Sequence, residues 1–267
     1  MGNPQDGMQR YAACVEYCGV RYAGWQRQKH APSVQEAVER AISRVADCRV
    51  GVVAAGRTDT GVHGSGQILH FDTPNLREEV SWLRGVNTWL PDDISLLWTR
   101  PVEGEFHARH KALERHYRYV ILNREVSPSY LHGRVTWFRW PLDVEAMRAA
   151  AGSLLGTHDF SAFRAAGCQS LNPIKELRRL DIGHAGQWIW FDVSADGFLH
   201  HMVRNLVGVL CAIGQGEALP GWAAEVLASR DRKQGGVTFP PDGLYFSGAD
   251  YAPDWGLPPP PPVCRFW

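Results

Sequence analysis

Apolar positions along this chain recur at strand spacing in some stretches and at helix spacing in others, and each change of period marks an element. Tyr11 to Tyr17 reads as a strand with an aromatic at each end. Ser33-Val34-Gln35-Glu36 has the form of a capping box, after which Val34, Ala37, Val38, Ala41, Ile42 and Val45 recur at helical spacing and give one apolar face. The run Val50 to Ala55 reads as a buried strand, and the short run Ile68 to Phe71 as another. The pattern predicts a helix from Glu78 to Leu90, stopped at Pro91-Asp92-Asp93, and a strand from Ile94 to Thr99. The resulting order, β-α-β-β-α-β, is that of a ferredoxin-like unit, which serves RNA-binding and enzymatic domains alike.

A second series follows. Tyr117 to Asn123 is a strand, and Asp143 caps a helix through Leu155 with Met147, Ala150, Ala151 and Leu154 inward. Leu177 to Ile182 and Trp188 to Val193 read as a hairpin across His184-Ala185-Gly186. Met202 to Ile213 is a strongly apolar helix, Trp222 to Ala228 a shorter one, and Leu244 to Tyr251 a last strand. Five consecutive prolines, 258 to 262, favour an extended polyproline tail without a core, and a passive role is expected for it.

Length and composition narrow the class. A chain of 267 residues is one large domain or two small ones, with ample apolar content for a core. Its 28 basic and 28 acidic residues cancel, so any polyanion must be met by local patches rather than a global positive field. Six scattered cysteines without a Cys-x-x-Cys pair favour reduced thiols in a cytoplasmic protein over disulfides or zinc. The absence of an uninterrupted membrane-length apolar run leads us to expect a soluble protein and no membrane partner.

The chemistry concentrates first in Ala55-Gly56-Arg57-Thr58-Asp59-Thr60-Gly61-Val62-His63-Gly64. Gly56, Gly61, Gly64 and Gly66 make this a tight loop able to admit something bulky, around one Arg and one Asp. Asp59 can be a nucleophile, a base or an anion anchor, and Arg57 can grip phosphate or carboxylate. The plain alternative is a turn in which the two merely pair. Asp59-Thr60-Gly61 also spells the triplet of aspartic proteases. Those enzymes need two such carboxylates sharing a proton, no second triplet occurs, and the guanidinium two residues away opposes the sharing.

Three further clusters stand out. Phe106-His107-Ala108-Arg109-His110-Lys111, continuing to Arg115-His116-Tyr117-Arg118, sets Arg109, Lys111, Arg115 and Arg118 against Glu114 alone, with aromatics interleaved. That mixture suits a nucleic-acid backbone with bases stacking on rings; a solvated basic face is the alternative. Phe163 to Ser170 is a polar, small-residue loop that offers either a second contact or a mere connection. In Phe198-Leu199-His200-His201-Met202-Val203-Arg204-Asn205 the adjacent histidines suggest a metal, yet neighbouring side chains diverge, and no His-x-x-x-His occurs. Arg204, at the start of an apolar helix, needs a carboxylate partner if buried, and Asp59 is the candidate.

With these stretches in view, the chain resembles the TruA family of tRNA pseudouridine synthases. The matching elements are Tyr22-Ala23-Gly24-Trp25-Gln26-Arg27-Gln28, the Ala55 to His63 stretch, Phe106-His107-Ala108-Arg109, Tyr117-Arg118-Tyr119 and His200 to Asn205, in the family's order. The resemblance covers roughly Met8 to Tyr251 and departs at Thr60, at Phe239 and in the proline tail. It implies an α+β fold of two ferredoxin-like halves, residues 8–105 and 106–251, forming a mixed sheet with a central catalytic cleft, followed by the Pro-rich tail 252–267. It also implies a homodimer that isomerises uridine to pseudouridine at positions 38 to 40 of the tRNA anticodon stem-loop, with no cofactor and no metal.

The site residues follow by position. Asp59 matches the nucleophile, Tyr117 the aromatic that stacks on the target uracil and assists proton transfer at C5, and Arg204 the basic partner of the Asp. Arg57, Arg77, Phe106, His107, Ala108, Arg109 and His110 fall where the family touches tRNA, as do Gly167, Cys168, Gln169, Ser170 and Leu171. The alternative is a catalytically silent tandem RNA-binding module. It needs the basic stripe but not the combination of Asp59, Tyr117 and Arg204.

Overall fold

The strand expected at Tyr11 forms as β1 (Gln9–Tyr17). Its residues from Tyr11 to Val15 are buried without alternation, as a strand with both faces covered requires. In α1 (Val34–Ala46) the Ser33 hydroxyl accepts the Glu36 N–H at 3.3 Å, satisfying one of the amides a helix start leaves open. All the apolar positions expected inside are buried except Val45, which packs at the rim of the same cluster. The computed structural model describes residues 7–267, and the chain divides into two compact units: Met1–Leu113 with Phe246–Val263, and Glu114–Tyr245 with Cys264–Trp267.

The apolar run at Val50 departs from expectation. Only Val53–Ala54 form a strand, β2, paired antiparallel with β3 (His63–Thr73). The amides before it are taken by side chains of α1: Val50 N–H donates to Ser43 Oγ at 2.9 Å and Val52 N–H to Glu39 Oε1 at 3.1 Å. A backbone whose donors are already satisfied gains nothing from a ladder. β3 in turn begins five residues earlier than its apolar run suggests, so Gly64 and Gly66 are strand rather than loop. α2 (Glu79–Trp89) and β4 (Ile94–Val102) complete the series, with β1 antiparallel to both β3 and β4. Under this sheet Tyr11, Phe71 and Trp82 pack ring on ring at 5.2 to 5.4 Å.

The second unit carries β5 (Glu114–Asn123), β6 (Thr136–Phe138), α3 (Val144–Ala151), β7 (Gly156–Asp159), β8 (Ile174–Ala185), β9 (Trp188–Ala195), α4 (Met202–Gly214) and α5 (Trp222–Ser229). Its strands run β5-β9-β8-β7, antiparallel, while β6 lies parallel to β5. The helix expected through Leu155 stops at Ala151 and tightens into a 3₁₀ turn over Gly152–Leu154. α4 is buried on nearly every side, and its Gly208 has no room for a β-carbon, which would lie 1.9 Å from the Val237 carbonyl oxygen.

The last strand, β10 (Leu244–Asp250), lies from Phe246 onward in the first unit, where the order is β4-β1-β3-β10. The fold class is α+β, as expected. The tail is not the passive segment its prolines suggested. Pro260 and Pro261 lie over Gly248 and Gly66 of the first unit. Trp267 stacks on Trp190 at 4.1 Å and Phe266 on Trp188 at 5.8 Å in the second. Polyproline stretches bury nothing by themselves, so the signal for this docking was the aromatic end, Phe266-Trp267. Among the described residues no helix is long and apolar enough to cross a membrane.

The ring cluster sets a stability prediction. Phe71→Ala removes a fully buried ring that touches both Tyr11 and Trp82. We expect a loss of about 3–5 kcal/mol. Urea unfolding followed by tryptophan fluorescence measures it.

Candidate active site

The stretch around Asp59 is a loop whose backbone is gripped from one side. Thr58 and Val62 point inward, 7% and 1% exposed, while Arg57 and Thr60 face outward and Asp59 is half-buried. Val62 N–H donates to the Asp59 carbonyl at 3.1 Å, and Gly61 between them has φ +79. That is a tight turn whose third residue needs a positive φ, the conformation glycine adopts without strain. The segment from Gly19 to Trp25 holds this turn in place. Trp25 N–H donates to Thr58 O at 3.0 Å, Gly61 N–H to Tyr22 O at 3.3 Å, and Gly19 N–H to His63 Nδ1 at 3.1 Å. The contact is so close that a β-carbon on Gly24 would lie 2.5 Å from Thr58 O, and one on Gly19 2.1 Å from Val62 O.

Side chains finish the frame. The Tyr17 hydroxyl meets Thr58 Oγ1 at 2.8 Å, and burial pushes the phenol up to about 12, so it stays a neutral partner. Gln67, fully buried on β3, donates to Gly56 O at 2.7 Å and accepts Gly56 N–H at 3.4 Å. Both edges of the loop are therefore closed by buried polar groups, and Asp59 is carried on a fixed backbone. The glycines at 19, 24 and 61 were visible in the sequence. Tyr17 and Gln67 were not singled out, because a tyrosine ending a strand and a glutamine within one carry no motif.

The turn from Glu103 to Ala112 belongs to the same unit. Phe106 is fully buried against Tyr251 at 5.2 Å and Trp255 at 5.3 Å, and Ala108 is buried too, its carbonyl accepting from the Tyr251 hydroxyl at 2.6 Å. Their burial leaves Arg109 and His110 as the exposed side chains and His107 as a half-buried one. Lys111 is also exposed and stands 5.8 Å over the Trp255 ring. Arg77 is exposed at its head, with Nε donating to Val45 O at 2.6 Å.

The basic stripe is shorter than its sequence suggests. Arg118 forms a bidentate pair with Asp192, directly across from it on β9, at 2.7 and 2.8 Å. Its third contact is the Cys264 carbonyl at 3.0 Å. Arg115 donates to Asp196 O at 2.8 Å. Counting Glu114 alone as the local acid overlooked these groups, which lie some eighty residues away in sequence.

In the second unit the segment Phe198–Asn205 gathers the remaining candidates. Phe198 meets the Tyr117 ring edge-on at 4.9 Å. His200 is bonded through its backbone to the 164–171 loop: Ala165 N–H donates to His200 O at 3.0 Å, and His200 N–H to Cys168 Sγ at 3.3 Å. Arg164 closes that loop on itself, donating to the carbonyls of Cys168 and Ser170 at 2.8 and 2.7 Å. Burial raises the Cys168 thiol, but the donors around the sulfur outweigh it and leave it below the usual cysteine range. Gly167 and Gln169 are exposed, and Leu171 is 96% exposed. Arg204 Nε donates to Phe239 O at 2.6 Å, and Phe239 N–H returns a bond to Arg204 O at 3.2 Å.

One expectation about this segment is overturned. The rings of His200 and His201 were expected to diverge, yet their centroids are 4.0 Å apart. His201 caps α4 in the left-handed conformation, φ 61, which turns its side chain back over its neighbour. The divergence rule holds within a helix or strand, and His201 stands just outside one.

Known proteins resemble this chain closely. The family described as "tRNA pseudouridine synthase" matches residues 13–111 and 150–252. A protein of Dechloromonas aromatica named "tRNA pseudouridine synthase A" is 51% identical over 94% of this chain and 96% of its own length. Namesakes from Thiobacillus denitrificans and Methylococcus capsulatus are 52% and 50% identical over 94% and 93% of this chain, and 96% and 92% of theirs.

The frame around Asp59 yields its own prediction. Gly24→Ala combines a strained φ of +92 with a β-carbon pressed into the Thr58 carbonyl. We expect a local cost of about 1–3 kcal/mol. It should appear as amide exchange at Trp25 and Gly61 faster by on the order of tenfold, the change that about 1.4 kcal/mol produces. Exchange in α1 should stay at its original rate.

Proposed function

This chain belongs to the tRNA pseudouridine synthase family, and from that membership we propose that it isomerises uridine to pseudouridine in the anticodon stem-loop of tRNA, at positions 38 to 40. The observation that carries the reading is the frame around Asp59. A half-buried carboxylate is presented on a turn whose backbone is fixed through Trp25, Gly61, Gly19 and Gln67. Such preorganisation is worth most where a nucleophile must meet one atom of a large substrate.

The chemistry makes modest demands. The uridine leaves its stack, its C1′–N1 bond breaks, the base turns, a C1′–C5 bond forms, and the C5 proton is released while N1, freed of the sugar, gains one. Atoms and electrons are conserved, so the step needs no redox cofactor. Asp59 is the group that acts on the nucleoside. Tyr117, whose ring is braced by Phe198, stacks on the displaced uracil and assists at C5. Arg204 is assigned as the basic partner of the carboxylate, held by its exchange of hydrogen bonds with Phe239.

Recognition of the RNA falls to Arg57, Arg77, the 106–110 turn and the 167–171 loop, whose exposed members are Arg57, Arg77, Arg109, His110, Gly167, Gln169 and Leu171. Zero net charge is compatible with this, because phosphate contacts need only a local stripe. The two compact units are proposed as ferredoxin-like, the working form as a homodimer, and the compartment as the cytoplasm, where tRNA is modified.

Incubation of the pure protein with unmodified tRNA, followed by pseudouridine mapping, tests the reading directly. Asp59→Asn keeps the shape and removes the charge. Turnover should fall on the order of 10⁴-fold or more while tRNA affinity changes little. A variant that still turned over near the wild-type rate would sink the mechanism.

A salt titration of binding beside single-turnover kinetics separates the two kinds of arginine. Arg109→Ala should reduce the slope of log affinity against log salt by about 1. Arg204→Ala should hardly move that slope but should lower both stability and rate. Equal slope changes would make Arg204 a phosphate contact and end its assignment as partner of Asp59.

A further inference from the structure

Three consecutive amides of the 106–110 turn end on imidazole nitrogens. Ala108 N–H donates to His70 Nδ1 at 3.1 Å, and the N–H groups of Arg109 and His110 both donate to His107 Nδ1 at 3.2 Å. Lys111 N–H then closes the turn on the His107 carbonyl at 2.9 Å. A side-chain acceptor that takes amides two and three residues ahead is the device Asn and Asp use to shape turns, here performed by a histidine. The rings also pack together, His70 to His107 at 4.8 Å and His107 to His110 at 4.2 Å, with the Phe106 edge against His70 at 6.1 Å.

We propose that His70 and His107 are positioning residues for the tRNA-facing turn, holding the backbone of Ala108, Arg109 and His110 through unprotonated Nδ1 atoms, so that proton uptake by either ring releases it. The proposal rests on the reading that this turn meets tRNA, and it gives His107 a different task from direct contact. An imidazole accepting at Nδ1 carries its proton on Nε2; once protonated it has only donors, and the amides face an N–H. Those amides carry the chain of Arg109 and His110, the two exposed side chains of the turn.

The surroundings keep both rings neutral. β1 contributes Arg10, paired with Asp72 of β3 at 2.7 Å and donating to the carbonyls of Gly104 and Phe106. The turn contributes His107, Arg109 and His110, and Glu105 acts on Arg10. Burial first, then Arg10 and His107, drives His70 down to about 4, with Asp72 opposing. Burial and then His110 lower His107 as well. A histidine depressed in the fold stabilises it fully above the ordinary value of about 6.5. That contribution declines as pH falls below 6.5 and is lost as pH passes through the folded value. The grip is therefore whole at neutral pH and weakens on acidification.

The sign of the pH effect separates this role from direct contact. A histidine that touched phosphate would bind the polyanion more tightly as it gained a proton. A histidine that holds the turn does the reverse. The experiment compares wild type, His107→Leu, His107→Asn and His70→Asn from about pH 8, above the ordinary histidine value, down to about pH 4, where His70 takes up its proton. It reads side-chain ¹⁵N shifts and amide exchange of Arg109 and His110 without RNA, then tRNA affinity and single-turnover rate. Nδ1 should be the unprotonated nitrogen in both rings. His107→Leu should raise the half-saturating tRNA concentration on the order of tenfold, far more than it lowers the maximal rate. His107→Asn, with its oxygen near the lost nitrogen, should recover most of the difference.

Protons found on Nδ1, an Asn variant no better than Leu, or a wild type that gains more affinity in acid than His107→Asn would each overturn the proposal. So would exchange that follows the caps while tRNA affinity does not, although the isomerase reading would then stand. A protein whose caps behave as expected but which leaves tRNA uridines unchanged would refute the isomerase reading instead.

Discussion

At Gly24 there is no space for a β-carbon, and the candidate site depends on that. The Gly19–Trp25 segment lies directly against the Thr58–Val62 backbone, and two hydrogen bonds between them, with a third from Gly19 to the His63 ring, need the approach that glycine allows. A loop carrying a reactive carboxylate has to be rigid without being buried, since burial would remove the group from its substrate. Anchoring the main chain from behind meets both requirements. The inward side chains, Thr58, Val62 and His63, make the anchor, and Arg57, Asp59 and Thr60 are left outside it.

The second unit solves the same problem by another route. Its 164–171 loop has no strand or helix of its own and follows a short 3₁₀ turn over Ser161–Phe163. It is held by Arg164 across its mouth and by the backbone of His200 at its base. Asn205, buried one turn into α4, donates to Phe163 O at 2.7 Å and accepts from Arg232 and Thr238. Loop, helix start and the Tyr117 ring therefore share one short segment as their support, the residues from Phe198 to Asn205.

Much of this was legible in the sequence, and the exceptions have physical causes. Amphipathic helices such as α1 show themselves because their packing obeys one period. β2 did not, because whether Val50 and Val52 join a ladder was decided by Ser43 and Glu39, side chains on the preceding helix. The glycine-rich stretch around Asp59 was evident, but which glycines turn the chain and which let a neighbour in depends on partners far away. Gly61 does the first. Gly64 does the second, since its β-carbon would meet the Tyr17 ring at 2.5 Å. Arg118 looked like part of a surface stripe until the β5–β9 register set Asp192 opposite it. Charge patterns along a sequence reveal local neighbours only, and the residues that neutralise a charge across a sheet are not local.

The discontinuity of the first unit bears on how the chain is made. Its sheet runs β4-β1-β3-β10, and the part of β10 that belongs to it, from Phe246 onward, follows the Glu114–Tyr245 stretch of the second unit in sequence. During synthesis the Asp59 loop would thus emerge early, on a sheet whose β3 edge awaits a strand more than a hundred residues further on. Until Phe246–Asp250 leave the ribosome, that edge is open to pairing with other chains. The second unit likewise gains Cys264–Trp267 only after the closing segment of the first, Phe246–Val263, has been made. A chain cut before Phe246 would therefore yield two unfinished units rather than one finished and one missing.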